Sequence, residues 1–145
     1  MTLDDLMAEP ITDVADGVPI PMTVHEYFTC GRCWELAEAM VEARPQARII
    51  EIRVSNGSWN MLVHAGIEHD GQVIDIEGRH ELTQWVDRWS ANWDSPEVSY
   101  RKGRGETLGF ENRRTMRFAR LAAARLLSAI ETEPQGVRAN MKKAA

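Results

Sequence analysis

Residues 59–78 read WNMLVHAGIEHDGQVIDIEG, and their pairing decides the fold. Two stretches of alternating character flank Asp70-Gly71, a dipeptide suited to a tight hairpin turn because both of its positions tolerate positive φ. With those two residues as the loop, His69 opposes Gln72, Ile67 opposes Ile74, Gly66 opposes Asp75 and Ala65 opposes Ile76. Side chains on a strand alternate between its two faces. One face therefore carries Val63, Ala65, Ile67, Ile74 and Ile76, a core face. The other carries His64, Gly66, Glu68, Val73, Asp75 and Glu77.

Upstream, residues 47–54, ARIIEIRV, alternate Ile50, Ile52 and Val54 against Glu51 and Arg53, which predicts a strand. Ser55-Asn56-Gly57-Ser58 is a turn signal. Strands at 47–54, 59–68 and 72–76 then form an antiparallel meander. The run from Cys33 to Ala43, CWELAEAMVEA, is rich in helix formers and is followed by Pro45, a stop signal. Downstream, residues 80–93 place Leu82, Trp85, Val86 and Trp89 on one helical face. Residues 98–102 suit a short edge strand, and residues 111–131 a long helix. Residues 1–22, with three prolines, read as an irregular arm, and 133–145 as a flexible tail. A single α+β domain over 23–132 is the expectation.

The chain has 145 residues and a formal net charge of −5, from 17 Lys plus Arg against 22 Asp plus Glu. That length suits one domain with a real core. Mild acidity argues against bulk nucleic-acid binding. No apolar run reaches the ~18 residues of a membrane helix, and the acidic N-terminus lacks the features of an export signal. A cytoplasmic protein with free thiols is expected.

Chemistry concentrates on the polar face of the hairpin. His64 lies diagonal to Asp75 across Gly66, a separation of ~7–8 Å that side chains span. An Asp that accepts from one ring nitrogen leaves the other as a base. Glu77, directly opposed to His64, is a rival partner. Cys33 opens its helix, where the partial positive charge of the helix end favours thiolate.

The run Gly31-Arg32-Cys33-Trp34-Glu35-Leu36-Ala37, then Val63-His64, then Asp70-Gly71 through Asp75 to Gly78, resembles small bacterial and phage papain-like hydrolases related to NlpC/P60. The likeness spans residues 31–78. It implies a papain-like fold and a cysteine-dependent hydrolase of amide bonds (a peptidase, amidase or deamidase) acting on a peptide or protein. In it Cys33 would be the nucleophile, His64 the base and Asp75 the orienting acid, with no cofactor and no metal. The family's Gln ahead of the nucleophile is replaced here by Tyr27, Phe28 and Thr29, so the second oxyanion donor falls to Thr29, His25 or Asn60.

Other readings compete. A non-catalytic phage- or plasmid-type protein could bind and inhibit a host complex through the C-terminal helices, using Arg113, Arg117 and Arg120 and the Trp85/Trp89 face. Cys30 and Cys33 form C-x-x-C, and with His64 and His69 they make a poorly spaced zinc set or a redox pair without its usual setting.

Overall fold

The computed structural model describes residues 1–29, 31–103 and 113–132 and shows an α+β architecture. The expected irregular arm is instead ordered. Thr2 caps helix α1 (Leu3–Ala8), accepting from the Asp5 amide while Asp5 accepts from the Thr2 amide, a reciprocal capping box. Leu3 and Leu6 are buried. Strands β1 (Pro10–Ala15) and β2 (Val18–Thr23) then form an antiparallel ribbon. Its turn is Asp16-Gly17, both with positive φ. The short helix α2 (Val24–Thr29) leads to α3 (Cys33–Ala43), whose bounds match the sequence reading.

The main sheet has five strands: β3 (Arg48–Ser55), β4 (Asn60–His69), β5 (Gln72–Asp75), β6 (Gly78–Glu81) and β7 (Glu97–Arg101). Their spatial order is β6-β5-β4-β3-β7, and every neighbour is antiparallel. The Asp70-Gly71 turn forms with φ of 51° and 80°, and Ile67 opposes Ile74 as the loop length dictates. The region read as one helix from residue 80 divides into β6 and helix α4 (Leu82–Ser90), which Glu81 caps by accepting from the Gln84 amide. The division follows from a second tight turn at Ile76-Glu77, which sets Asp75 opposite Gly78 and Val73 opposite His80. Helix α5 (Arg113–Thr132) closes the fold. The expected tail, 133–145, lies outside the described residues.

Each face of the sheet is covered by different helices. On one side α3 and α5 bury Ile49, Ala65, Ile67 and Ile76 together with Leu36, Met40 and Leu126. On the other side α4 covers Ile50, Ile52 and Val73 with Trp85. No helix among the described residues is long and apolar enough to cross a membrane.

Candidate functional site

Strand parity decides which groups can meet. His64 opposes Ile52 and Gly66 opposes Ile50, so His64 and Gly66 project to the α4 side. Asp75, fully buried, accepts from four donors there. Oδ2 faces His64 Nε2 at 2.9 Å and Trp85 Nε1 at 2.8 Å. Oδ1 faces His80 Nε2 at 2.8 Å and the Glu77 amide at 2.8 Å. Gly66 makes this approach possible: a Cβ there would lie 2.8 Å from the Ile74 carbonyl oxygen and 3.0 Å from Val73 Cγ1. Trp89 stacks on the His64 ring at 3.7 Å between centroids.

Cys33 lies on the opposite side of the sheet. It packs in the core of α3 with Ala65, Ile67 and Ile49. Burial pushes its thiol up to about 11, hydrogen bonds from the backbone of Ala65 and Trp34 oppose this only in part, and the Glu51 carboxylate adds to the rise. Glu51 opposes Ala65 in the register, so the electrostatics and the packing assign the sulfur to the same face. The structure thus brings His64 and Asp75 together and leaves Cys33 apart from both. The helix-start effect on the thiol is outweighed, because removing a thiolate from water costs more than one partial helix charge returns.

The supporting roles expected around the thiol are also taken elsewhere. The Thr29 hydroxyl donates to the His25 carbonyl oxygen at 2.8 Å. His25 Nε2 meets Glu77 at 2.9 Å, so the rival partner of His64 is occupied by His25 and Arg88. Asn60 accepts from Arg53. His64 Nδ1, the nitrogen a base would use, is buried without a partner, as is the neighbouring Trp89 Nε1. No group of three or more His, Cys, Asp or Glu side chains among the described residues is arranged to hold a metal ion. Cys30 lies outside the described residues.

Sequence reasoning missed His80 and Trp85 as partners of Asp75. The signal for His80 was present in Asp75-Ile76-Glu77-Gly78, a two-residue turn with Gly78 at φ 111°. Trp85 and Trp89 form the inner face of α4 and are not an exposed contact surface. On α5, Arg120 pairs with Glu42 and Arg125 with Glu9, while Arg117 is exposed. The side chain of Arg113 lies outside the described set. No family model matches the chain, and neither does any curated protein or solved structure.

Proposed function

We propose that the chain is a non-catalytic binding protein, working through its surface and not through a thiol. The observation that carries this reading is the sheet standing between Cys33 and the His64–Asp75 pair. A thiol held up at about 11 leaves a thiolate fraction of about 10⁻⁴ at pH 7, too little for a nucleophile without an adjacent base. The surface suited to a partner is the margin of β7, one of the two edge strands of the five-stranded sheet among the described residues. Val98 and Tyr100 are exposed there, opposite Ile52 and Ile50 and so on the α4 side, and Trp93 is exposed just beyond α4. An unpaired strand edge beside exposed apolar groups can accept another chain.

The competing reading is the papain-like cysteine hydrolase of amide bonds that the motif order implies. The 2.9 Å His64–Asp75 bond favours it, being the base-and-acid half of such a triad. It requires Cys33 and His64 on one side of β4, and a one-residue slip of the whole β4–β5 hairpin against β3 would supply this with the His64–Asp75 bond intact.

Thiol labelling separates the two. In the folded chain at pH 7, iodoacetamide should modify Cys33 far more slowly than in the urea-unfolded chain, and His64→Ala should leave the rate unchanged. Rapid labelling of Cys33 that His64→Ala slows would overturn the binding reading and restore the hydrolase.

A further inference from the structure

We propose that a cleft at the C-terminal end of α3 binds a carboxylate carrying an aliphatic group. The inference is independent of the reading of Cys33, which lies at the other end of the same helix.

The cleft has a volume of about 210 Å³. Its floor is Ile67, Ile74 and Ala47; its polar lining includes Arg44, Arg79 and Gln72. At about 30 Å³ per water the volume equals roughly seven waters, enough for a small organic acid and too small for a drug-sized molecule.

Arg79 supplies the reason for an anion. Eight other described arginines each meet a carboxylate, as Arg48 meets Glu68 and Arg53 meets Glu51. Arg79 meets none among the described residues, although it is half-buried; Arg117, which also meets none, is exposed. The register places Arg79 opposite Ile74, so its guanidinium shares a face with Ile74 and Ile67. A guanidinium held over apolar side chains is partly desolvated, and a bidentate carboxylate replaces the water it has lost. Arg44 is already engaged by Glu131, and His69 by Asp70 at 3.2 Å, so Arg79 is the primary anchor.

The apolar floor selects a ligand with an aliphatic body over a bare inorganic anion. A second cleft of about 620 Å³ shares Gln46, Ala47 and His69 with the first. A longer ligand can therefore extend along it, which a peptide ending in an aliphatic residue would do with its terminal carboxylate on Arg79.

The test is a chemical-shift titration of the nitrogen-15-labelled chain with isovalerate, isovaleramide, inorganic phosphate and a short peptide ending in valine, with its C-terminus free or amidated. Isovalerate and the free-acid peptide should move the backbone signals of Gln72, Ile74 and Arg79. The two neutral amides should bind at least about tenfold more weakly, as expected for loss of a charge-assisted pair. Arg79→Gln should lose the same factor and Arg79→Lys less. Tighter binding of the free-acid peptide than of isovalerate assigns a peptide terminus; equal binding assigns a small free acid. The proposal is overturned if those signals do not move or if isovaleramide matches isovalerate. It is equally overturned if phosphate binds as tightly as isovalerate, or if Arg79→Gln, with a dispersed spectrum, keeps full affinity. The isovaleramide comparison uses the unaltered chain, so the outcome does not depend on any variant folding.

Discussion

Replacing Asp75 by Asn tests the centre of the α4 side at nearly constant volume. In the native chain both carboxyl oxygens are used twice: Oδ2 by His64 and Trp85, Oδ1 by His80 and the Glu77 amide. Asn keeps one acceptor oxygen and turns the other position into a donor. Whichever way the amide is oriented, two buried donors then face an N–H group. If the NH₂ group takes the Oδ2 position, a histidine can change tautomer and accept, but the Trp85 indole can only donate. If it takes the Oδ1 position, His80 can adapt but the Glu77 amide cannot. Leaving one buried donor unsatisfied costs about 1–3 kcal/mol, and weakening the remaining bonds to Asp75 adds a similar amount. The sum, about 2–6 kcal/mol, brackets the usual cost of breaking a buried pair on one side. For a chain of this length it corresponds to a fall in Tm of roughly 4–24 °C. Urea unfolding followed by tryptophan fluorescence reads the change directly, because Trp85 and Trp89 both adjoin the site. A Trp85→Phe background should reduce the cost of Asp75→Asn, since it removes a donor that depends on Oδ2. A loss below about 1 kcal/mol, or strict additivity of the two substitutions, would refute the view that Asp75 organises this side of the core.

Gly66→Ala should cost about 1–3 kcal/mol by overpacking, since the new methyl would lie 2.8 Å from the Ile74 carbonyl oxygen and 3.0 Å from Val73; denaturant midpoints check it, and no loss would mean that β5 shifts easily against β4. The Cys33 thiol, held at about 11 against an ordinary 9.0, keeps its proton more tightly in the folded state. Its stabilising contribution is therefore complete below pH 9 and lost as pH rises from 9 to about 11, at most about 3 kcal/mol from two units at 1.36 each. The stability difference between the parent chain and Cys33→Ala, measured across that range, should show this decline; a flat difference would mean that the thiol is hydrated.

Much of the fold was legible because local chemistry agrees with tertiary structure. Asp70-Gly71 fixed the register of β4 and β5, and the composition of Cys33–Ala43 fixed α3. The N-terminal ribbon was hidden by Pro10, Pro19 and Pro21, which argue against a strand inside a sheet. A two-stranded ribbon leaves outward-facing positions that need no donor, and Asp16-Gly17 carried the turn signal throughout. Cys33, His64 and Asp75 read as one site in chain order, and the structure divides them between the two faces of the sheet. The alternation puts Ala65 and Ile67 on the core face, and a helix as apolar as α3 must cover that face, which puts Cys33 behind the strand that carries His64. Order along the chain carries no information about which side of a sheet a helix packs on. The Asp75 cluster with His80 and Trp85 needed the second turn at Ile76-Glu77, where apolar Ile76 hides a loop position.

The core under α3 is closed by both ends of the described chain. Leu3 and Leu6 from α1 share it with Leu126, Leu127 and Ile130 from α5, and Arg125 of α5 meets Glu9 just after α1. The opposite layer, Ile50, Ile52, Val73 and Trp85, is complete in sequence by β7. During synthesis on a ribosome the α4 layer can therefore consolidate first. The α1 leucines can pack on α2 early, but their contacts with α5 wait until that helix has left the exit tunnel, and that interval is when a holdase chaperone has most to protect.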